Sequence, residues 1–338
     1  MKNRLIKPII LPVLLCFLVV FSVVVPAAFA APASVVLSGK TAGVLLSYEG
    51  LLVVDLNNAG LNEGEKSPGE KAGILRGDII MSANGQKMTQ TQDLIQILNE
   101  SQGKAVKLVV KRGGVEKTLE LTPAYSEKDN TYKLGAWIRD SMAGIGTVTF
   151  FDPQSQKYGA LGHAISDADT GSHINLAEGS LVPSTVIDVN PGTPGAAGEL
   201  KGEFSPFSPF AKVEKNTPFG IFGTLESDYL KSGTPVETAL PEEIVVGSAA
   251  MLSNVAGDEV ESYAIEITKI IGTEGNKNFA IKVTDDKLLQ KTGGIVQGMS
   301  GSPIVQNGKL VGAVTHVLLD DPTRGYGINI TNMLQVVS

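Results

Sequence analysis

Residues 298–303 (GMSGSP) place a serine, Ser300, between two glycines. A hydroxyl is a weak nucleophile at neutral pH, so it needs a base within hydrogen-bond reach and N–H donors aimed at the developing oxyanion. The glycines permit a tight turn that presents Ser300 Oγ outward and directs the N–H groups of Gly298 and Ser300 to one point. The stretch predicts a nucleophile with its oxyanion hole, although a serine in an ordinary turn gives the same pattern.

The base that would activate Ser300 must come from three histidines, His163, His173 and His316. His163 follows a glycine at the end of an apolar strand, whereas His173 lies in a polar loop. His316 ends the strand 312–315 and could line a substrate cleft. We choose His163, because two barrels facing a shared cleft would then contribute one residue each.

A third group should orient the imidazole and stabilise its charged form. The spacing does not choose among five aspartates, each of which could instead be a turn or capping residue. They are Asp167, Asp169, Asp188, Asp285 and Asp286.

Composition excludes several other classes of function. The formal net charge is -7 and no lysine or arginine cluster stands out, which argues against a nucleic-acid partner. The single cysteine, Cys16, lies in an apolar run near the N-terminus, so disulfides and thiolate chemistry are not expected in the rest of the chain. The histidines show no HExxH spacing, and we expect neither a metal nor a cofactor.

Residues 1–30 have the pattern of an export signal. Lys2, Arg4 and Lys7 precede an apolar run, and small residues follow at 28–30. We expect the segment to be either a cleaved signal peptide or a retained membrane anchor, since the run approaches spanning length. Both interpretations place the remainder of the protein outside the cytoplasm.

Residues 41–122 form a compact module that resembles a PDZ domain. The resemblance rests on the segment 72–80 (AGILRGDII), the hairpin signal Asn84-Gly85 and a helical pattern over 91–101. In PDZ domains a loop and the strand edge after it bind an extended peptide. The matching loop here is Tyr48, Glu49, Gly50, Leu51 and Leu52. Glu49 would repel a peptide carboxylate, so a packing module is the alternative.

Residues 134–338 show many short strands separated by glycine, proline and asparagine, and no long helical period. The pattern predicts a mainly β domain built as a closed double barrel or a sandwich. The stretch 191–220, rich in proline, glycine and phenylalanine, is predicted to be a long surface loop.

This second domain resembles the SpoIVB peptidases, the stage IV sporulation protein B family. The match includes residues 162–167 (GHAISD), 292–297 (TGGIVQ) leading into the serine motif, 312–317 (GAVTHV) and 321–328 (DPTRGYGI). The order of signal segment, PDZ module and peptidase domain also matches, so the resemblance covers nearly the whole chain.

The resemblance implies a chymotrypsin-like double β-barrel with a Ser/His/Asp triad. The family's serine and histidine fall on Ser300 and His163, and its aspartate falls on Asp285, with Asp286 adjacent. That position, shortly before the serine, differs from the trypsin-like order, in which the aspartate lies far upstream.

The family also implies a role in sporulation. Its members are exported into the space between forespore and mother cell, cleave themselves, and cleave a membrane-bound regulator of an intramembrane metalloprotease, which allows a late sigma factor to mature. The PDZ module is implicated in recognition of self and partner. Two alternatives are an inactive exported PDZ adaptor and a general quality-control protease.

Overall fold

The computed structural model describes residues 34–58, 66–230 and 233–337. The predicted signal peptide or anchor at 1–30 lies outside the described residues. Within the described ranges, no helix combines the length and apolarity needed to cross a membrane.

The chain is mainly β, as the sequence predicts. The strands are, in chain order, β1 (Ser34–Leu37), β2 (Thr41–Leu56), β3 (Ile79–Ala83), β4 (Gln86–Lys87), β5 (Val106–Arg112), β6 (Val115–Leu121), β7 (Ala124–Ser126), β8 (Thr131–Lys133), β9 (Ala136–Phe151), β10 (Lys157–Ala160), β11 (Leu176–Asn190), β12 (Glu199–Phe204), β13 (Ala211–Thr217), β14 (Gly220–Leu225), β15 (Pro235–Glu237), β16 (Gly247–Ser253), β17 (Glu261–Ile270), β18 (Phe279–Val283), β19 (Pro303–Gln306), β20 (Lys309–Leu318) and β21 (Asp321–Asn329). The helices are α1 (Pro68–Lys71), α2 (Thr91–Glu100), α3 (Asp286–Thr292) and α4 (Ile330–Val337), with a 3-10 turn at Pro241–Glu243.

Six strands close the first barrel in the order β9-β10-β14-β13-β11-β2, with β2 pairing back onto β9. All neighbouring strands run antiparallel. Its interior is filled by large apolar side chains such as Leu46, Tyr158 and Ile221. A closed barrel leaves no free sheet edge, so every strand backbone finds a partner.

The second barrel closes in the order β16-β17-β18-β21-β20-β19. Strand β17 has the alternating pattern expected of a barrel strand. Tyr263, Ile265 and Ile267 are buried, while Ala264 and Glu266 between them are exposed. This alternation matches the two-residue period of side chains along a strand. The pair of barrels confirms the predicted double-barrel architecture.

The predicted surface loop at 191–220 is wrong. Nearly half of this stretch forms β12 and β13, and β14 begins at Gly220. Strand β13 lies between β11 and β14 inside the first barrel, and β12 pairs with β11. Prolines and glycines between short strands imitate a loop in sequence, and only pairing with distant strands fixes their extended conformation.

The PDZ module uses the second half of β2 together with β3 to β6, α1 and α2. Helix α1 begins with a capping box, in which Ser67 Oγ accepts from Glu70 N and Glu70 Oε2 accepts from Ser67 N. Helix α2 buries Leu94 and Leu98 against a core shared with β3 and β5. The sequence assigned all of 41–122 to this module, but residues 41–47 of β2 are a strand of the first barrel, paired with β9 and β11.

A shared apolar cluster joins the two barrels. Phe150 and Phe222 come from the first barrel, Leu310 and Ile328 from the second, and Met333 from helix α4, and all five are buried. Such packing makes the two barrels depend on each other for their apolar contacts, because each covers side chains the other would expose.

The second barrel offers a direct test of its core. Phe279 is completely buried among glycines of neighbouring strands, whereas Phe207 is 89% exposed. We expect Phe279→Ala to lower the free energy of unfolding by ~3–5 kcal/mol, since it removes a buried ring and leaves a cavity.

Denaturant unfolding measures this difference, with Phe207→Ala as the matched control that should unfold like the wild type. Equal stability of the two variants would contradict the barrel core described here.

Candidate active site

Ser300 lies in a turn between the end of α3 and strand β19, and residues 298–301 are called the Ser300 turn below. Gly298 and Gly301 have φ of 97° and 95°, the left-handed region that favours glycine. Strand β9 of the other barrel holds this turn. Thr147 N–H donates to the Ser300 carbonyl oxygen at 3.0 Å and Thr147 Oγ1 to that of Gly298 at 2.7 Å. Thr149 Oγ1 donates to the Gly301 carbonyl at 2.8 Å.

Gly301 has no room for a side chain. A Cβ there would lie 2.0 Å from the carbonyl oxygen of Thr147 and 2.5 Å from the nitrogen of Leu161. The glycine that the sequence analysis interpreted as a turn former therefore also allows the backbones of two barrels to meet. Leu161 lies two residues before His163, so this close approach of the two backbones brings His163 toward the Ser300 turn.

His163 is presented by an unusual backbone. Leu161 and Gly162 both have positive φ, 69° and 71°. A Cβ on Gly162 would lie 2.8 Å from Thr315 Cγ2 of the second barrel. Strand β10 thus ends in a turn packed against β20, and His163 emerges at the boundary between the barrels.

Ser300 and His163 line the same cavity of about 420 Å³. Gln297 and Gly298 form part of its wall, and the remaining lining is mostly apolar: Val44, Leu46, Met142, Gly144, Ile145, Leu161, Ala164, Ile165 and Ser166. The structure therefore brings together, in one cleft, the serine and the histidine that the sequence singled out.

The side chains of His163 and Ser300 each form a hydrogen bond with a backbone carbonyl. His163 Nδ1 lies 2.8 Å from the carbonyl oxygen of Ala164. A carbonyl only accepts, so Nδ1 carries the proton and Nε2 keeps a free lone pair. Ser300 Oγ donates to the carbonyl of Thr315 at 3.2 Å, and no hydrogen bond joins it to His163.

Burial lowers the pKa of His163 below its ordinary value of 6.5, and the hydrogen bond to Ala164 opposes this only in part. A charged imidazolium is disfavoured where water is excluded. The ring is therefore held neutral near pH 7, as a general base must be before it accepts a proton.

The N–H groups of Gly298 and Ser300 are the predicted donors of an oxyanion hole. Within the described part of the chain, neither donates a hydrogen bond to a protein acceptor, although Met299 N–H and Gly301 N–H on either side of Ser300 are both engaged. Unpaired donors at a cleft are the requirement for oxyanion stabilisation.

The structure does not place any of the five candidate aspartates in a hydrogen bond with His163 among the described residues. Asp285 caps helix α3, since its Oδ1 accepts from Leu288 N at 3.0 Å and its Oδ2 from Ala264 N at 3.2 Å. These N–H groups, opposed by partial burial, hold the pKa of Asp285 below its usual value.

The other four aspartates form ion pairs with other side chains or are exposed to solvent. Asp167 and Asp169 pair with Arg139, and Asp188 is exposed beside Lys201. Asp286 is exposed in the first turn of α3.

His316 is a second histidine close to His163. Its ring centroid lies 5.5 Å from that of His163. Burial, with the neighbouring His163 and Lys277, lowers the pKa of His316 to about 4. Its Nδ1 is buried without a hydrogen-bond partner among the described residues. His173, by contrast, is exposed in a bridge with Ser166.

Sequence reasoning missed Thr147 and Thr149, which position the Ser300 turn. Both are fully buried in β9. Their only signal is a pair of polar residues inside an otherwise apolar strand, residues 147–151 (TVTFF). Nothing in the linear sequence connects them with a turn far along the chain.

The five residues predicted to form a peptide-binding loop of the PDZ module instead lie within strand β2, and all of them except Glu49 are buried. Tyr48 is 3% exposed and its hydroxyl donates to Asp167 Oδ2 at 3.0 Å, while Leu51 and Leu52 are fully buried. Glu49 N–H is bound by the carbonyl of Asn175, and Gly50 takes a positive φ of 96°. The use of residues 48–52 for peptide binding stays a prediction.

The described residues contain no group of three or more histidine, cysteine, aspartate or glutamate side chains arranged to hold a metal ion.

Curated relatives match only parts of this chain. A protein of Lactococcus lactis named as a zinc metalloprotease is 30% identical over 176 residues, which are 52% of this chain and 37% of that protein. A DegP-like periplasmic serine endoprotease of Bartonella henselae is 38% identical over 72 residues, 21% of this chain and 14% of that one. The chain thus spans little more than a third of the length of these relatives at most.

Two solved structures show limited likeness. The PDZ domain of an SdrC-like protein of Listeria monocytogenes matches 28% of this chain and 90% of its own, at 19% identity and a TM-score of 0.23. The Rv3671c protease of Mycobacterium tuberculosis in its active form matches 57% and 74%, at 16% identity and a TM-score of 0.36. TM-scores below 0.5 do not establish a common fold for the chains.

Family models give the decisive match. A PDZ domain model matches residues 62–112, and the model described as SpoIVB peptidase S55 matches residues 130–334, well over half of the chain. The resemblance inferred from the sequence motifs is thereby confirmed. The chain belongs to the SpoIVB peptidase S55 family, and it carries a PDZ domain.

Proposed function

We propose that this protein is an exported signalling endopeptidase that cleaves itself and a membrane-bound regulator of an intramembrane metalloprotease, leading to activation of a late sigma factor during sporulation. Family membership and the export-like pattern of residues 1–30 support the proposal. The observation that carries the catalytic part is the shared cleft, in which Ser300 and His163 come from opposite barrels beside two free N–H donors.

In the proposed mechanism Ser300 Oγ bonds to the scissile carbonyl carbon while His163 Nε2 accepts the hydroxyl proton. The N–H groups of Gly298 and Ser300 stabilise the oxyanion. When the carbon–nitrogen bond breaks, the imidazolium gives the proton to the leaving amine. Water, deprotonated by the same nitrogen, then attacks the acyl ester, which releases the acid product and regenerates Ser300.

The resting hydrogen bond of Ser300 to Thr315 must be exchanged for one to His163 before attack. A rotation about χ1 of Ser300 changes the acceptor without moving the backbone, and hydrogen bonds of this kind commonly tighten only when substrate binds. The free Nε2 lone pair of His163 is compatible with this step.

Asp285 remains the proposed third member of the triad on the strength of the family resemblance. In the structure, the Ala164 carbonyl fixes the His163 tautomer and Asp285 caps α3, which leads into the Ser300 turn. Loss of Asp285 could therefore act through charge or through the helix, and these two routes are separable by substitution.

The cleft next to Ser300 favours an apolar substrate side chain. Leu46, Met142 and Ile145 line the side of the cavity contributed by β2 and β9, and no charged side chain of the described residues lies on its wall. Apolar walls around a few polar groups are typical of specific binding sites.

Replacement of Ser300 by alanine tests the function. We expect Ser300→Ala to keep the fold, to abolish self-cleavage and fluorophosphonate labelling, and to lower peptidase activity by roughly 10⁴-fold or more, because the nucleophile is lost. Mass spectrometry of the expressed protein and of the labelled adduct measures both losses.

Ser302→Ala is the control within the same motif, since Ser302 Oγ bonds Ser253 Oγ at 3.0 Å in the barrel interior. It should still be labelled. Continued self-cleavage by Ser300→Ala would refute the assignment. Trapping of many unrelated proteins by that variant, rather than one membrane protein, would favour a quality-control protease.

The lowered pKa of His163 predicts the acid limb of the pH profile. We expect the acid midpoint of peptidase activity to lie below pH 6.5, because the pKa of His163 is lowered and protonated Nε2 cannot accept the serine proton. Initial rates with a peptide substrate from pH 4 to 8 measure the midpoint. A midpoint above 6.5 would contradict the desolvated site, and His173→Gln, at an exposed position, should leave the profile unchanged.

Asp285 is tested by two substitutions. Asp285→Ala should lower the free energy of unfolding by ~1 kcal/mol through loss of the α3 cap, whereas Asp285→Ser should restore most of it. The proposed triad role requires both variants to lose activity. Full activity in Asp285→Ser, measured beside thermal unfolding, would limit Asp285 to capping.

A further inference from the structure

The edge of β2 that belongs to the PDZ module is already paired. Leu52, Val53, Asp55 and Leu56 lie opposite Arg139, Ile138, Trp137 and Ala136 in antiparallel register. Residues 136–140 are called the groove segment below. On the other side, Leu51 and Leu52 pair with β3. An added strand is the way in which PDZ domains take up an extended peptide, so the chain itself fills that position.

The groove segment also lies against helix α2. Together they border a cavity of about 330 Å³, with Leu94, Ile95 and Leu98 contributed by the helix and Ala136, Trp137 and Ile138 by the segment. Ile138 packs on the PDZ core, whereas Trp137 is 65% exposed. A strand between β2 and a helix, with one side chain partly buried on the core and its neighbour exposed, has the pattern of a bound extended peptide.

Asp140 fastens the end of the groove segment to α2. Its Oδ2 accepts from the N–H of Thr91, the first residue of the helix, at 2.8 Å. Burial opposes ionisation, but this N–H and the Ser141 hydroxyl hold the pKa of Asp140 below its usual value. The groove segment is thus held by strand pairing with β2, by the apolar contact of Ile138 with the PDZ core and by the hydrogen bond of Asp140 with α2.

Arg139 connects the groove segment to the loop that follows His163. Its guanidinium pairs with Asp167 through Nη1 and with Asp169 through Nη2 at 2.8 Å. Asp167 is 1% exposed and also accepts from the Tyr48 hydroxyl and from Thr170 N. A buried carboxylate that loses its cation is left partly uncompensated, so removal of Arg139 would loosen this loop.

We propose that the groove segment is an intramolecular ligand of the PDZ module, and that an extended peptide with an apolar side chain binds the module only by displacing this segment. The second half of the proposal is that displacement lowers the reactivity of Ser300, because it withdraws Arg139 from Asp167. The second half rests on the proposed function of Ser300 and His163. A tethered segment acts at an effective concentration of the order of mM, so a free peptide at micromolar concentration cannot compete with it in the wild type.

Peptide binding tests the first half without any catalytic readout. The probe is a blocked, fluorescein-labelled peptide of residues 134–141 (LGAWIRDS), measured by fluorescence anisotropy on the full chain. Ile138→Asp and Ile138→Pro each weaken the groove segment, one by charge in the core and one by loss of a ladder N–H. We expect either variant to bind the probe roughly tenfold or more tightly than the wild type.

Ile187→Asp is the matched control, because Ile187 is a strand residue that is 58% exposed. It should bind the probe as weakly as the wild type. Hydrogen exchange should show faster exchange of the 136–140 amides in the two Ile138 variants, and protection of 52–56 on adding the probe. Equal binding by the wild type and both variants, whether tight or absent, would overturn the proposal.

The rate of fluorophosphonate labelling at Ser300 tests the second half. Arg139→Gln should label several-fold more slowly while its probe binding stays close to that of the wild type, and Arg139→Lys should recover part of the rate. Arg324→Gln, at an exposed arginine of β21, should label normally. Unchanged labelling in Arg139→Gln would refute the coupling. Absence of labelling in the wild type would instead refute the nucleophile and leave the binding result intact.

Discussion

The site depends on one close contact, between the backbone of β9 and the Ser300 turn. Three hydrogen bonds from Thr147 and Thr149 hold the turn, and Gly301 allows the two backbones to approach without a side chain between them. Because these donors are buried, each would carry the full desolvation penalty if left unpaired. The contact therefore fixes the serine of one barrel relative to the histidine of the other.

Two long strands extend the consequences of that contact into the PDZ module. Strands β2 and β9 each run through the first barrel and then into the PDZ sheet, and they pair with each other in both. An antiparallel pair of this length resists shear, because a slip of one residue would turn every buried side chain outward. The PDZ module is thus continuous with the first barrel, which carries His163, and the proposed coupling between peptide binding and Ser300 relies on this continuity.

The electrostatics of the cleft follow from its apolar lining. Burial keeps both His163 and His316 neutral near pH 7, and the Ala164 carbonyl selects the tautomer that leaves Nε2 of His163 available. A neutral imidazole with a free Nε2 lone pair can accept a proton without first losing one, whereas in water the same ring would be solvated and would have to reorganise. The charged groups of the region, Arg139 and its two aspartates, lie behind the His163 loop and support it there.

The sequence by itself determined the fold class and the family, and it singled out the serine and the histidine that the structure brings to one cleft, because glycine spacing, strand alternation and the scarcity of histidine are local properties. It could not determine the strands of 191–220, the role of Thr147 and Thr149, or the pairing of 136–139 with the PDZ edge. Each of these depends on hydrogen bonds between residues far apart in the chain, and short extended segments have little intrinsic preference for one partner. The acid is the clearest case, because spacing left five aspartates equivalent and only the family resemblance pointed to Asp285. The tertiary structure decided which of them caps a helix, pairs with Arg139 or faces solvent, since the partners of a carboxylate are the donors that the fold brings to it.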